Sequence, residues 1–487
     1  MLFALGDYGP LFRRISDGIK TAIRDNILAP GDRLPSSRDA AKALGVSRNA
    51  VVAAYELLAA EGYITCVQGA GSFVTGARGA KESARKTPAT SRPVRKPARL
   101  TAYGKFASQI SKANANDGPV SACIDFAYGH AQPDTRAARQ WSVHLRQHAA
   151  PNLTGYGDPQ GLASLREAVA HHLSQHRGLH IGRDDIIITN GTQQGLDLIS
   201  RTMIASGDSI AVEDPHYDGA RQVFLAQGAR LVTCPVDENG LDTQHLMRSK
   251  TPIRLVYVTP SHQFPTGHIL SIQRRQGLLS WCAANDAFVI EDDYDSEFRY
   301  DTGLIESLKS LDSDGRVIYL GTFAKTLFPS LRLGFIVAPP GLKSALTGAK
   351  FLSDRGSSLV DQSALASFIE TGDYARHLRR ASRRYMANRD VLAKSIRRHF
   401  GNAVNISGGR AGVHFVLEAP KLTPTEMDAW INAAAARSVR VQSVAAYYRE
   451  SSHVRPGLIL GYATLGHADI ETGVGRLAEA YRVTTAT

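Results

Sequence analysis

The chain of 487 residues exceeds the size of one compact domain, which indicates two or more folded units. Hydrophobic residues make up 43% and charged residues 21% of it, which is ordinary globular usage and excludes wholesale disorder. The net charge of +12, from 57 Lys and Arg against 45 Asp and Glu, raises the question of a polyanionic partner such as nucleic acid or an anionic membrane.

Cysteine usage and hydropathy restrict the compartment. Cys66, Cys123, Cys234 and Cys282 lie far apart with no C-x-x-C pair, which argues against a disulfide framework and a compact zinc module. The sequence shows no signal-peptide pattern and no apolar run near the roughly 18 residues of a membrane span. We therefore expect a soluble protein of the reducing cytoplasm, with no membrane partner.

Composition divides the chain into a small unit, residues 1–76, a linker, residues 77–120, and a large unit, residues 121–487. The linker is rich in Lys, Arg, Ser, Ala and Pro, so we expect it to be flexible. It carries a net charge of +8, whereas the small and large units carry +1 and +3. These cations either attract DNA phosphates without reading sequence or keep a solvated tether extended by repulsion.

The small unit begins with an amphipathic helix. Apolar residues recur every four positions after Pro10, at Leu11, Ile15, Ile19, Ile23 and Ile27. The pair Pro30-Gly31 is predicted to end this helix.

Two short helices with a tight turn are predicted next. Ser36 caps the first helix through Asp39, and Gly45 makes the turn. Ser47 caps the second helix, which runs to about Ala60. This arrangement is a helix-turn-helix.

The exposed first turn of the second helix carries Arg48 and Asn49. Side chains at that position reach base edges in the major groove, and a helix N-terminus favours phosphate. A hairpin with strands at 63–67 and 72–75 around the turn 68–71 is predicted to form a wing. The alternative is a small interaction module, because helix-turn-helix geometry also occurs in proteins that never touch DNA.

Residues 8–76 closely resemble the GntR-family winged helix-turn-helix, through RLPSSRDAAKALGVSRNAVVAAYELLAAEGYI and the GAGSFV that follows. The resemblance implies binding to a double-stranded DNA operator. Asn49 stands where the family often has threonine, a departure that affects base preference. The residues that the resemblance places at DNA are Arg38, Ser47, Arg48 and Asn49, with the wing glycines Gly69 and Gly71 beside the minor groove.

In the large unit, apolar strands precede turns that carry polar and charged residues. This is the pattern of α/β folds, whose ligands bind at the carboxyl ends of strands. The strand 186–189 leads into NGTQQG, residues 190–195, and a helix. Backbone N–H groups and a hydroxyl at that helix start would cradle a phosphate. Alone, the pattern equally fits a strand, a glycine turn and a capped helix that bind nothing.

The strand 287–290 runs into three consecutive carboxylates, Glu291, Asp292 and Asp293. A buried unpaired charge is strongly unfavourable, so the run indicates either acids with a positive partner or a solvated acidic loop. A metal site is a further alternative, but no His joins them at close spacing and we assign no metal.

A third strand, 317–320, precedes GTFAKTLFPSLRLGF, which contains Lys325. An apolar setting would lower the pKa of its amine, as a Schiff-base nucleophile requires. Thr322 and Arg332 offer phosphate ligands nearby. Taken singly, a lysine after a strand is also a common surface residue.

Together, a phosphate cradle, a strand-end acid and a lysine are the anchor, ring partner and covalent link that pyridoxal 5′-phosphate requires. Residues 156–465 resemble the aminotransferase class I domain of fold type I. The whole chain resembles MocR/GabR-type regulators, in which a GntR head is joined by a long linker to that domain. Particular to this subfamily are TPSHQFPTG, residues 259–267, and EDDYDSEFRY, from Glu291. The predicted fold is therefore multidomain, a small α+β winged helix-turn-helix followed by a large α/β domain.

The resemblance assigns roles by position. Lys325 would form the aldimine, Asp292 would keep the pyridine nitrogen protonated, and Tyr294 would hydrogen-bond the ring hydroxyl. Tyr217 resembles the aromatic residue that stacks on the ring. The residues that resemble the phosphate shell are Gly191, Thr192, Gln193, Thr322 and Arg332. Tyr156 would reach the phosphate of a partner subunit, since the fold builds its sites at a dimer interface.

One departure concerns substrate binding. Many amino-acid aminotransferases clamp the substrate carboxylate with an arginine near the C-terminus, and here Ile459 occupies that place in GLILGY. Loss of a bidentate clamp weakens the case for efficient transamination of an α-amino acid. Arg410 or Arg449 could substitute.

The leading hypothesis is a homodimeric transcription regulator in which pyridoxal phosphate, alone or with an amine or amino-acid effector, changes how two heads meet DNA. It is then no enzyme, although a half-transamination is compatible with it. The alternatives are an active aminotransferase with a DNA-binding head and a regulator that senses vitamin B6 itself. Coupling requires that the effector binds two arrangements of the heads with different affinity.

Overall fold

The computed structural model describes residues 8–75, 99–114, 123–129, 134–149, 155–300 and 305–486, together with Leu5 and Ala131. The chain divides into two compact units, residues 1–98 and residues 99–487. No helix in the described ranges is long and apolar enough to cross a membrane.

The first unit is a winged helix-turn-helix, as predicted. Its elements are α1 Leu11–Arg24, α2 Ser37–Leu44, α3 Arg48–Ala60, β1 Ile64–Val67 and β2 Gly71–Val74. The two strands pair antiparallel, with Ile64 opposite Val74. Apolar side chains of the three helices meet in one core, which includes Ile15, Ile19, Val51 and Leu58.

The helix ends form as the sequence predicts. The Ser36 hydroxyl accepts a hydrogen bond from the Asp39 backbone N–H at 3.2 Å, and the Ser47 hydroxyl accepts one from Ala50 at 3.3 Å. Gly45 has φ 66°, a left-handed conformation that glycine adopts without steric cost. Caps of this kind stabilise a helix by about 1 kcal/mol each.

The prediction that Ile27 continues the apolar face of α1 is wrong. The helix ends at Arg24, and Ile27 is 62% exposed. Asn26, with φ 57°, turns the chain before another helical turn forms. The four-residue spacing therefore extends beyond the helix that it identifies.

Part of the predicted linker is helical. Residues 102–114 form α4, Ala102–Asn114, within the range 77–120 that we expected to be flexible. Tyr103, Phe106 and Ile110 recur at intervals of three and four residues, which is a helical period. The helix lies in the second compact unit, so its start falls before the predicted boundary at residue 121.

The second unit is built on a large sheet and a smaller one. The strands of the large sheet are β4 Ile186–Thr189, β5 Ser209–Asp214, β6 Arg230–Asp237, β7 Gly240–Leu241, β8 Ile253–Val258, β9 Phe288–Asp293, β10 Val317–Thr322 and β11 Gly334–Val337. The remaining strands are β3 Ile124–Asp125, β12 Asn405–Ser407, β13 His414–Glu418, β14 Val439–Arg440, β15 Gln442–Ser443 and β16 Gly457–Gly461.

Helices surround both sheets. They are α5 Thr135–His148, α6 Ala163–Arg177, α7 Thr192–Met203, α8 Asp218–Ala226, α9 Thr243–Arg248, α10 Ile272–Ala284, α11 Pro340–Asp354, α12 Leu359–Glu370, α13 Asp373–Phe400, α14 Pro424–Ala435 and α15 His467–Thr485.

The large sheet has the order β4-β11-β10-β9-β8-β5-β6-β7. Strands β10, β9, β8, β5 and β6 run parallel, whereas β11 is antiparallel to both β10 and β4. Parallel strands place their carboxyl ends at one edge, where ligands of α/β folds bind. The smaller sheet is antiparallel with the order β12-β13-β16-β15.

Burial on both faces explains the continuous apolar runs of the large sheet. Along β4, Ile187 belongs to one core cluster while Ile186 and Ile188 belong to another. The structure confirms β4 at its predicted bounds. It extends the other two predicted strands, so that β9 includes the acidic run and β10 includes Thr322.

Candidate functional site

Side chains at the ends of five strands, β4, β5, β8, β9 and β10, and in the loops that follow them line one cavity of the second unit. Two tyrosines of the cavity, Tyr128 and Tyr257, have no counterpart among the predicted site residues. The lining residues are Tyr128, Thr192, Gln193, Tyr217, Tyr257, Thr259, Phe264, Asp292, Tyr294, Thr322, Ala324, Lys325, Pro329 and Arg332. Eight of the ten predicted cofactor residues therefore meet here, and Gly191 directly precedes this group.

Lys325 reaches the cavity from the loop after β10. Its Nζ donates to the Gly129 carbonyl at 2.9 Å and lies 5.3 Å from the centroid of the Tyr128 ring. Burial lowers the pKa of the amine, against the opposing charges of Asp295 and Asp292. The shift enlarges the neutral fraction of the amine, which is its nucleophilic form.

Asp292 lies in β9 and is buried. Its Oδ2 accepts a hydrogen bond from the Tyr257 hydroxyl at 2.8 Å, while its Oδ1 is buried without a hydrogen-bond partner among the described residues. Burial raises the pKa of Asp292 to about 7, although the Tyr257 hydrogen bond opposes this change. A buried carboxylate oxygen without a donor is unfavourable unless a ligand supplies one.

The other two acids of the run have protein partners. Glu291 accepts from the backbone N–H groups of Leu308 and Lys309 at 2.8 Å each. Asp293 forms an ion pair of 2.8 Å with Arg177, and both side chains are nearly inaccessible to solvent. The alternative of a solvated acidic loop is therefore wrong. Asp292 is the member of the run that faces the cavity.

A candidate phosphate cradle lies at the start of α7. Gly191 precedes the helix with φ 81°, and a Cβ there would approach the Arg332 guanidinium to 3.0 Å. The first N–H groups of the helix, from Thr192 and Gln193, have no acceptor within the helix. Arg332 has φ 52°, a rare conformation for a residue with a side chain, and its Nη2 donates to the Asn190 carbonyl at 3.1 Å.

Thr322 completes the cradle from the end of β10. Its hydroxyl accepts the backbone N–H of Ala324 at 3.1 Å. The helix N-terminus, this hydroxyl and the exposed Arg332 side chain form a donor set suited to a dianion.

Aromatic residues form the walls of the cavity. The Tyr217 ring lies against Gly219, where a Cβ would come within 2.6 Å of its atoms. The Phe264 ring is perpendicular to Tyr217 at 5.9 Å and nearly so to Tyr294 at 6.1 Å. Phe264 belongs to the TPSHQFPTG motif. The sequence therefore pointed to this part of the cavity wall, although it assigned no role to Phe264.

The Tyr294 hydroxyl contacts a buried histidine. His262 Nδ1 lies 3.0 Å from Tyr294 Oη and 3.0 Å from Asp295 Oδ2. His414 approaches from the smaller sheet, its ring 5.3 Å from that of His262, and burial lowers its pKa to about 3. The metal-ligating atoms of His262, Asp295 and His414 lie within 4.8 Å of one another. Chain folding therefore brings histidines to an acid of this loop, which sequence spacing did not reveal.

The described contacts satisfy much of this three-residue cluster. Asp295 accepts from His262 through both carboxylate oxygens, and His414 Nε2 hydrogen-bonds the Pro265 carbonyl at 3.1 Å. The arrangement is that of a hydrogen-bonded pair that supports Tyr294.

Tyr156 lies outside the cavity in the single chain. Its side chain is 78% exposed, and the Arg355 guanidinium lies 5.8 Å from its ring centroid. The predicted role of Tyr156, a contact across a subunit interface, stays a prediction.

The place of the carboxylate clamp is apolar. Ile459 in β16 is fully buried in a cluster with Phe264 and Tyr447. Arg449 pairs with Asp218 at 3.1 Å, and Arg410 lines a different cavity. Neither arginine is among the residues that line the Lys325 cavity.

The predicted DNA-facing side chains lie on the surface of the first unit. Arg38, Ser47, Arg48 and Asn49 are exposed. Arg48 Nε donates to Ser37 Oγ at 3.4 Å, which joins the start of α3 to α2.

Arg33, which precedes α2, lies beside the wing. Gly69 and Gly71 have φ 80° and 115°, and a Cβ on Gly71 would approach Arg33 Nε to 2.9 Å. The backbone of Arg33 pairs with Phe73 of β2 in an isolated antiparallel bridge, and Arg33 is exposed. The sequence did not connect Arg33 with the wing, because Arg33 is distant from Gly71 and Phe73 along the chain and meets them only in the fold.

Comparison with known proteins accounts for both units. Residues 11–74 match the family described as "Bacterial regulatory proteins, gntR family", and residues 123–476 match "Aminotransferase class I and II". The chain is similar to the kynurenine aminotransferase of Pyrococcus horikoshii, with 27% identity, a TM-score of 0.67, and coverage of 79% of this chain and 95% of that structure.

Two curated relatives match nearly the whole chain. The probable rhizopine catabolism regulatory protein MocR of Rhizobium meliloti is 34% identical over 97% of this chain and 94% of its own length. The pyridoxine biosynthesis transcriptional regulator PdxR of Corynebacterium glutamicum is 31% identical over 93% and 91%. The chain therefore belongs to the MocR-type transcription regulators, which join a GntR-family winged helix-turn-helix to an aminotransferase class I and II domain.

Proposed function

We propose that this transcription regulator binds pyridoxal 5′-phosphate covalently through Lys325 and uses the loaded site to sense a small molecule. The observation that carries the proposal is the pairing, in one cavity, of a buried lysine amine with a buried carboxylate oxygen that has no donor. A protonated pyridine nitrogen would supply that donor to Asp292 Oδ1. A cofactor of this kind supplies an electron sink and an aldehyde that links to amines.

The chain's own residues divide the binding task. Tyr257 holds Asp292 in position from the neighbouring strand, and Tyr217 would stack on the ring. Thr192, Thr322 and Arg332 would hold the phosphate at the start of α7, where the charge of the dianion would also match the helix N-terminus. These contacts would orient the group so that its aldehyde carbon faces Lys325 Nζ.

The proposed assembly is a cytoplasmic homodimer with two heads that bind an operator of two half-sites. The exposed Tyr156 supports a site completed by a second subunit, where its hydroxyl would reach the partner's phosphate cradle. A dimer with two-fold symmetry predicts related half-sites in the operator DNA.

Small-molecule sensing requires two arrangements of the dimer with different effector affinity. The apolar surroundings of Ile459 favour an effector whose amine, rather than a clamped carboxylate, provides the main contact. The relative PdxR supports a second candidate, in which vitamin B6 itself is the effector and occupancy of the Lys325 cavity is the signal.

The test is an operator-binding titration on the DNA upstream of the protein's own gene. Apo protein is titrated with and without pyridoxal phosphate, and then with a panel of amines and amino acids. We expect the footprint or affinity to change in the wild type and in Lys250→Ala, a surface-lysine control, but not in Lys325→Ala. A wild-type footprint that no addition alters would contradict the proposal.

The same preparation separates regulator from enzyme. Steady multiple turnover with an amino donor and a keto-acid acceptor would support an active aminotransferase with a DNA-binding head. A single half-reaction, or binding without turnover, agrees with the regulator. A response to cofactor alone, with none to amines, identifies vitamin B6 as the effector.

A further inference from the structure

The long helix α13 concentrates positive charge within an otherwise acidic unit. Its 28 residues hold nine Lys and Arg against two Asp, a net charge of +7. Residues 99–487 carry +5 in total, so the part outside α13 carries −2. The charge of this unit is therefore localised on one element.

Five of these cations form a stripe on the outer face of the helix. We call Arg379, Arg383, Lys394, Arg397 and Arg398 the α13 stripe. All five are exposed, and none has a hydrogen-bond or ion-pair partner among the described residues. At 3.6 residues per turn they fall within about 100° of one another and extend over about 28 Å.

The other charged residues of the helix are already engaged. Arg376 pairs with Asp373 at 2.7 Å, and Arg380 with Asp134 at 2.6 Å. Asp390 pairs with its neighbour Arg389 at 2.8 Å. The acids of the helix therefore do not neutralise the stripe, which leaves its cations available to an external anion.

Two open cavities follow the stripe. One, of about 460 Å³, is lined by Arg379 and Arg383 together with the stacked pair His172 and His176. Glu297 lies in the same cavity, 3.9 Å from His172. The cavity is concave and predominantly cationic.

The second cavity, of about 700 Å³, borders the other end of the stripe. It is lined by Arg397 and by Arg410, whose exposed side chain also has no partner in the described part of the chain. Glu238 and Asp390 are its acidic members. Cationic concavities of this kind match a row of phosphates better than a flat surface does.

We propose that the α13 stripe binds the phosphate backbone of duplex DNA beside the operator. Its length corresponds to about eight base pairs at 3.4 Å per phosphate along a strand. A membrane is a poor partner, because interfacial helices insert an apolar face and that of α13 is buried in the core. The inference rests on operator binding by the GntR-family head, which would hold DNA at high local concentration for this second contact.

Phosphate contacts make affinity depend on salt without carrying sequence information. The stripe should therefore add to the salt dependence of DNA binding and leave operator preference unchanged. Each lost phosphate contact reduces the slope of log K against log salt by about 0.9.

The test compares two triple variants of the full-length protein. Arg379→Ala, Arg383→Ala and Arg397→Ala remove three stripe charges. The control, Arg230→Ala, Lys250→Ala and Lys421→Ala, removes three exposed cations that also lack partners among the described residues. Net charge falls equally in both, so a difference between them reports contact at the stripe. Exposed positions of this type change stability by no more than about 0.5 kcal/mol, which thermal melting checks.

Binding is measured over a salt series on an operator duplex and on a random duplex of equal length. We expect the stripe variant to show a slope shallower by about 2 to 3 for each stripe that contacts the duplex, on both duplexes, with the affinity ratio between them unchanged and the control at the wild-type slope. Equal slopes for all three proteins would overturn the proposal and identify a solvated face. Equal wild-type affinity for the two duplexes would instead contradict operator recognition, while the random duplex still tests the stripe.

Discussion

His262 Nδ1 lies 3.0 Å from the Tyr294 hydroxyl and faces both carboxylate oxygens of Asp295. Because a carboxylate only accepts, this nitrogen carries a hydrogen, and the tyrosine oxygen beside it acts as an acceptor. The phenolic hydrogen of Tyr294 is then free to point into the cavity. If pyridoxal phosphate binds as proposed, His262 is a positioning residue for Tyr294, whose hydroxyl would donate to the ring oxygen of the cofactor.

Replacing His262 should therefore alter the cofactor's titration as well as its affinity. In His262→Phe we expect about tenfold weaker binding of pyridoxal phosphate, the loss of roughly one charge-assisted hydrogen bond. The pH midpoint of the bound cofactor's absorbance should shift in the same variant.

His262→Asn is the matched variant, because its amide N–H takes the place of Nδ1 and should restore much of the midpoint. A midpoint that is the same in wild type and His262→Phe would mean that His262 only fills space.

The raised pKa of Asp292 should make the stability of the apo protein depend on pH. Its folded-state pKa of about 7 exceeds the ordinary value of 3.8, so the folded state binds the proton more tightly. The resulting stabilisation is complete below about pH 4 and is lost as pH rises toward 7. Relative to Asp292→Asn, the wild type should lose roughly 2.5 kcal/mol between pH 5 and pH 8.

The measurement is chemical unfolding of both proteins at several pH values. Saturation with pyridoxal phosphate should abolish the difference in slope, because the ring nitrogen then supplies the missing donor. Parallel pH profiles for the two apo proteins would show that Asp292 is ionised throughout.

Because Ile459 is buried among apolar side chains, we expect that an arginine at this position cannot restore the carboxylate clamp. Ile459→Arg would bury an unpaired charge in an apolar cluster, so we expect it to lower stability by several kcal/mol and to confer no amino-acid turnover. Ile459→Leu, which conserves volume, should cost less than about 1.5 kcal/mol. Thermal melting measures the change in stability, and a steady-state transamination assay measures turnover. A folded Ile459→Arg protein with new turnover would show that the cavity accepts a carboxylate.

We expect Arg48 to contribute to the affinity and the sequence preference of the head for its operator. Arg48→Ala removes an exposed cation from the first turn of α3 and should weaken operator binding by about 1 to 3 kcal/mol while reducing sequence preference. Arg24→Ala, at the far end of α1, removes the same charge and should leave preference intact. Competition binding with operator and random duplexes distinguishes base contact from general attraction, since the latter would affect both variants alike.

Local chemistry made the head and the strand ends predictable. Ser36 and Ser47 cap their helices through neighbouring backbone groups, so the signal and its structure lie within a few residues. The bounds of β4 followed from a short apolar run closed by a glycine turn.

What the sequence left open depends on partners distant in the chain. Whether Asp293 is solvated or buried is decided by Arg177, more than one hundred residues earlier. The same holds for Tyr257, which looks like a core residue of β8 until β9 brings Asp292 beside it. The α4 helix was not predicted for another reason. The basic and Ser-rich composition of this segment indicated a linker, and the three-and-four spacing of its apolar residues was a weak signal.

The α4 helix also changes the geometry available to the operator. A tether of 44 residues could span at most about 150 Å, whereas the stretch between Thr75 and Arg99 could span at most about 80 Å. The maximum length of chain between the two units is thus roughly half of the length that the sequence predicts. If the chain forms the proposed homodimer, half-sites farther apart than this shorter length of chain allows would have to be brought together by bending the DNA.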